Sequence, residues 1–164
     1  MPAFFSCSDE ENRLDTQPYN DNQMMSLMHV MSAEMDAMTM TGDADDDFAA
    51  MMIMHHQGAI NMGNLQIDKG NVAELKTMAQ TMITMQQAEI AELELFLENH
   101  TPTSSPTGVA WGMEAEAAMA IMTKDADLQI LTGDTDNDFA SLMIQHHRSA
   151  TAMAQSLLHH GHHD

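Results

Sequence analysis

The sequence predicts an all-α protein, an antiparallel four-helix-type bundle of four or five helices containing a duplicated helical hairpin. Strand formers are scarce, with aromatics at 4% of the 164 residues, and sheets are built from β-branched and aromatic side chains. Apolar residues recur at alternating steps of three and four, the spacing of one helix face. A segment carrying a turn, an acidic cap and paired histidines occurs twice, since Thr41 to Asn64 laid on Thr132 to Gln155 gives 13 identities in 24 positions. A repeated helical hairpin packs most simply against its own copy.

Residues 1–21 are polar, acidic and interrupted by Pro2 and Pro18, which predicts a flexible N-terminal arm. The bundle domain spans 22–158, with repeat units at 24–64 and 115–155. Met24, Met28, Met31, Met35 and Met38 form the stripe of a first helix that stops at Gly42, a residue suited to the left-handed conformation. Asp43, Asp45, Asp46 and Asp47 read as caps of the next helix, where carboxylates accept free backbone N–H groups. Phe48, Met52, His55, Ala59 and Met62 continue the rhythm until Lys69-Gly70-Asn71 breaks it. A third helix is expected over Val72 to Glu98, with Leu75, Met78, Met82, Met85, Leu93 and Phe96 facing inward. His100 to Gly108 reads as a loop. A fourth helix carries Met113, Met119 and Met122, and a fifth carries the second histidine pair. Residues 159–164 form a His-rich tail, expected to be mobile and native, because Gly161 and Asp164 break the run as an expression tag would not.

The chain has 25 acids and 5 bases, a net charge of −20. Such a surface repels nucleic acid and draws cations. One cysteine, Cys7, allows no disulfide within a monomer and no CxxC pair. No apolar run is long enough to span a membrane. The opening MPAFFSCSDEEN has no basic n-region and does not read as a working signal peptide.

Methionine is the anomaly, 20 residues against 12 leucines. Side chains three and four apart share a helix face, so Met52 neighbours His55 and His56, Met51 neighbours His55, and Met143 neighbours His146 and His147. Met62 and Met153 lie two turns further along. Adjacent residues sit about 100° apart around a helix, so one histidine of each pair faces squarely inward. Methionine stripes are often plain core, because the thioether fills gaps well. Here the MxxHH pattern occurs twice in a chain where methionine outnumbers leucine, which favours a soft metal. Thioethers suit Cu(I), with Ag(I) as its mimic, and imidazole also serves copper. Zinc leaves the methionines unexplained. The Glu-x-x-His signature of helical di-iron sites is missing. A thioether needs no deprotonation and forms no disulfide, which favours a periplasmic or extracellular location. Met25 and His29 form a further i, i+4 pair, and His159, His160, His162 and His163 suit Cu(II).

FAAMMIMHHQGAINMGN, followed by MQQAEIAELELFL at Met85 to Leu97, resembles a bacterial helical family of unknown function, in the ferritin-like class. That family is marked by F-x-x-x-M-x-x-H-H-x-x-A-x-x-M and a downstream Q-x-x-E-I, and the duplicated methionine-rich hairpin is similar to its CopM-like copper-resistance members. The likeness covers about residues 22–158 and places the motif on Phe48, Met52, His55, His56, Ala59 and Met62, and again on Phe139, Met143, His146, His147, Ala150 and Met153. Q-x-x-E-I falls on Gln86, Glu89 and Ile90. The resemblance implies a secreted or periplasmic bundle that sequesters copper for resistance without catalysis. Copper ions are the expected partner, with transfer to a periplasmic copper sensor or exporter as a further expectation. Two other classes compete, a Cu(I) oxidase and a methionine-rich partner-binding bundle without a metal role.

Overall fold

The computed structural model describes residues 15–162. Cys7, His163 and most of the predicted arm lie outside the described residues. The elements run in the order α1 (Gln23–Asp36), α2 (Ala44–Lys69), α3 (Ala73–Asn99), α4 (Pro106–Asp127) and α5 (Thr135–His160), with no strand among the described residues. The all-α prediction holds.

Two hairpins, α1–α2 and α4–α5, pack into the four-helix bundle, and α3 lies along the outside of α2. Twelve buried methionines from the four bundle helices supply most of the core. Trp111 is fully buried among them, edge-on to Phe48 at 6.0 Å. Burial of a methionine side chain contributes about 1.5–3 kcal/mol, and its flexible thioether tolerates irregular gaps.

The repeat is visible in the turns. Gly42 and Gly133 take φ of 82° and 76°, a region open to glycine. Six residues after each Thr, a buried aspartate closes the turn: Asp47 accepts from Thr41 N at 2.7 Å and Gly42 N at 2.9 Å, and Asp138 accepts from Thr132 N at 2.9 Å and Gly133 N at 3.0 Å. Asp43 and Asp134 are the N-caps of α2 and α5. The Asp43 carboxyl is buried, which would raise its pKa, but the Thr103 N–H and the His100 ring outweigh burial and hold it below its usual value.

A second pair of acids records how the hairpins meet. Asp45, at the start of α2, accepts from His162 N at 2.8 Å, just past the end of α5. Its repeat equivalent Asp136, at the start of α5, accepts from Asn71 N at 2.8 Å and from the Gln66 amide, at the end of α2. The two histidine-bearing helices are therefore antiparallel.

Five expectations need correction. The first helix ends at Asp36 rather than Gly42, and Met38 falls outside it, because Asp47 takes the Thr41 and Gly42 N–H groups that further winding would use. α3 buries Ala79, Ile83 and Gln86, while Met78 and Met85 are 63% and 57% exposed. Its inner stripe is thus rotated from the predicted one, because Gly63 of α2 admits Ile83 and the Met82 methyl close to the α2 backbone. The predicted loop ends early, since Ser105 caps α4 and Pro106 begins it, the position where a missing N–H costs nothing. His159 and His160 close α5 instead of belonging to a loose tail, as no helix breaker precedes Gly161. Within the described part of the arm, Gln17 N bonds to Leu131 O at 2.8 Å and Tyr19–Asp21 forms a 3-10 turn, so this stretch is docked.

Candidate functional site

Because α2 and α5 run antiparallel and carry the same motif, their histidine pairs meet at the bundle centre. His55 and His146 are 0% and 1% exposed, and their rings stack with centroids 3.6 Å apart and 34° between planes. These are the inward members of the two pairs. His56 lies on the flank toward α3 and is 9% exposed, while His147 is exposed.

The Nε2 atoms of the three buried histidines are engaged. His146 Nε2 lies 2.9 Å from the His55 carbonyl oxygen, His55 Nε2 is 2.9 Å from Ser149 Oγ, and His56 Nε2 is 2.9 Å from Glu89 Oε2. The Nδ1 atoms of His55, His56 and His146 are buried with no hydrogen-bond partner. Buried polar atoms are normally satisfied, so three such nitrogens at one place call for an explanation.

All four histidines line a cleft of about 550 Å³ between α2, α3 and α5. The gap exists because α3 packs on α2 and makes little contact with α5. Its outer wall is Met78, Met82, Met85, Gln86 and Glu89 of α3. Gln86 and Glu89 belong to the Q-x-x-E-I stretch, so that motif faces the histidine pair. A neighbouring groove shares His56 and Glu89 and adds Phe48 and Met52.

Burial sets the charge state. It pushes the His146 pKa down to about 3, and it holds His55 well below the ordinary imidazole value, with the neighbouring His146 ring acting in the same direction. Burial also lowers His56, against the opposing pull of Glu89. The histidine centre is neutral, and it offers lone pairs beside soft thioethers.

The other predicted ligands are placed elsewhere. Met25, Met51, Met62 and Met153 are packed in the core, each at most 2% exposed, and Met143 is 9% exposed; none lines the cleft. The three-four rhythm could not separate these from ligands, because core and cleft share one helix face. His29 pairs with Asp127 at 2.7 Å on the surface, apart from the buried Met25. His160 pairs with Glu114 at 3.2 Å, and His159 is exposed on the last turn of α5. Sequence reasoning missed Met78, Met82 and Met85 as cleft residues by assigning them to a core stripe. It also missed Ser149 and Glu89, of which Glu89 had a signal in its motif. Among the described residues no group of three or more His, Cys, Asp and Glu side chains is gathered around a point that could hold a metal ion.

No helix among the described residues is long and apolar enough to cross a membrane. No curated protein and no solved structure matches the chain. One family model, a domain of unknown function (DUF305), matches twice, over residues 5–97 and 45–164, and the second match contains both histidine pairs. The chain therefore belongs to the DUF305 family.

Proposed function

We propose that this protein sequesters Cu(I) in the cleft between α2, α3 and α5, as a secreted or periplasmic copper-binding bundle without catalytic activity. The observation that carries the proposal is that His55, His56 and His146, each with a buried and unpartnered Nδ1, are residues lining a methionine-walled cleft. Neutral imidazole and thioether are the donor types a soft cuprous ion prefers, and neither has to lose a proton to bind. The net charge of −20 concentrates cations near the surface. Copper resistance follows if the ion is held tightly enough to keep it from other ligands. His159, His160 and His162, on and just after the last turn of α5, supply a separate surface set suited to Cu(II).

The test is anaerobic Cu(I) titration against a chromogenic chelator. Sub-micromolar binding is expected, weakened tenfold or more by replacing Met78, Met82 and Met85 together with leucine. Met25→Leu, Met62→Leu and Met153→Leu should leave affinity unchanged, because those sulfurs are core. Affinity no tighter than micromolar, or affinity indifferent to the cleft substitutions, overturns the proposal. Oxygen uptake on addition of Cu(I) would point to an oxidase instead, and none is expected.

A further inference from the structure

The duplication that sets His55 against His146 also creates two equivalent seats for a helix, one on α2 and one on α5. The seat on α2 is filled. There α3 packs with Glu89 Oε2 at 2.9 Å from His56 Nε2 and with Met82 and Ile83 close to the α2 backbone at Gly63. His56, Ile60, Gly63 and Ile67 form the covered stripe, at steps of four, three and four. The first three are buried and Ile67 is half-buried.

The repeat shift of 91 residues moves this stripe to His147, Thr151, Ala154 and Leu158 of α5. His147 and Thr151 are exposed, Ala154 is half-buried and Leu158 is 85% exposed. The framing of the seat is nonetheless the same. Asp45 accepts from His162 N as Asp136 accepts from Asn71 N, so the chain leaves both helices by equivalent turns. Among the described residues no helix rests on the α5 stripe, because α3 stands off from it across the cleft.

The chemistry of the stripe specifies its occupant. Thr151 and Ala154 are small, as Gly63 is on α2, and admit another helix at close range. His56 pairs with Glu89, whereas no carboxylate among the described residues pairs with its counterpart His147. Beside His147 stands Arg148, one of only 5 bases in the chain. An acidic helix with an apolar face therefore fits. α3 is such a helix: it carries Glu89 and Glu92, and it turns Met78 and Met85, 63% and 57% exposed, away from the stripe of Ala79, Ile83 and Gln86 that it buries.

We propose that the chain forms an isologous dimer in which α3 of each copy lies on the His147–Thr151–Ala154–Leu158 stripe of the other. Each α3 is then held between its own α2 and the α5 of the second copy. The occupant is a second copy because one chain supplies both complementary surfaces, and both line the same cleft. A twofold axis makes the contact twice in a single docking. The dimer needs no metal and is independent of the copper reading.

Sedimentation equilibrium of the metal-free full chain, from micromolar to millimolar protein, tests the proposal. The net charge of −20 on each copy opposes association, so the measurement is made in about 1 M sodium chloride, where the Debye length is about 3 Å. The expected mass is about twice the 18.1 kDa of one chain. Thr151→Glu and Leu158→Ser, at positions exposed in the single chain, should each weaken the dimer about tenfold or more with helicity unchanged. Ile130→Ser removes an equally exposed apolar side chain from the α4–α5 turn and should leave the dimer intact. In spectra of the chain labelled with 13C-methyl methionine, the Met78 and Met85 signals should shift on dilution while that of exposed Met113 on α4 stays fixed. A single-chain mass at every concentration overturns the proposal. So does a dimer indifferent to Thr151→Glu and Leu158→Ser, or one that Ile130→Ser weakens as much.

Discussion

Acid should destabilise this bundle well above the pH at which its carboxylates titrate, because two stacked imidazoles are held neutral at its centre. In the unfolded chain a histidine takes its proton near pH 6.5. In the folded protein His146 is pushed down to about 3 by burial, and His55 lies well below its ordinary value from burial and from the His146 ring beside it. His56 and His147 face the same centre, and Glu89 on the cleft wall pairs with His56. The unfolded state therefore binds more protons below pH 6.5. Stability is fully present above that pH and is lost as pH falls toward the folded values. Each histidine contributes a slope approaching about 1.4 kcal/mol per pH unit. By pH 4.5 His146 alone should remove about 2.7 kcal/mol, about half the stability of a marginal domain, and His55 adds a loss of the same sign. The Asp43 carboxyl adds losses of the same sign only at lower pH, so the range from 6.5 to 5 isolates the histidines. Urea unfolding of the metal-free protein followed by circular dichroism at pH 7.5, 6.0, 5.0 and 4.5 measures the slope. His146→Gln should reduce it, and His55→Gln with His146→Gln should leave only the smaller share that His56 contributes. Equal stability at pH 7.5 and 4.5, or a slope undiminished in the double variant, refutes the reasoning.

Two further outcomes test the architecture. Asp47→Ala should cost about 3 kcal/mol by leaving the Thr41 and Gly42 N–H groups without their carboxylate; Asp138→Ala should cost more, since Asp138 also accepts from Asn22 Nδ2 at 2.6 Å, and denaturant midpoints rank the pair. Gly108→Ala should destabilise by at least about 2 kcal/mol, because a Cβ there meets the Gly42 backbone carbonyl, whereas Gly112→Ala, whose nearest neighbour is Met40 Cγ at 3.8 Å, should raise the thermal midpoint slightly through helix propensity.

Local physics made much of the fold legible. The three-four rhythm placed the methionine stripes of α1 and α2, and the acids at 43 and 134 marked two helix starts, because periodicity and capping depend on residues a few positions apart. The duplication announced two hairpins by simple identity of side chains. α3 was read at the right place in the chain but with the wrong face inward. Its amphipathicity is blurred by methionines on two sides, and contact with Gly63 decided the rotation. Pro106 was taken for loop because proline serves both turns and first helical positions, and only Ser105 beneath it separates the two.

The sequence by itself determined the donor chemistry: paired histidines, thioethers nearby, few acids among them, and a repeat that doubles the motif. Only the tertiary structure decided which of these side chains share a cleft. Stacking of His55 on His146 depends on residues 91 positions apart meeting across antiparallel helices, and the stand-off of α3 from α5 opened the space beside them. The same long-range contacts moved Met62 and Met153 into the core, brought Met82 and Met85 to the cleft, and left three Nδ1 atoms bare. One helix face holds both kinds of methionine, and burial against a neighbouring helix is what tells them apart.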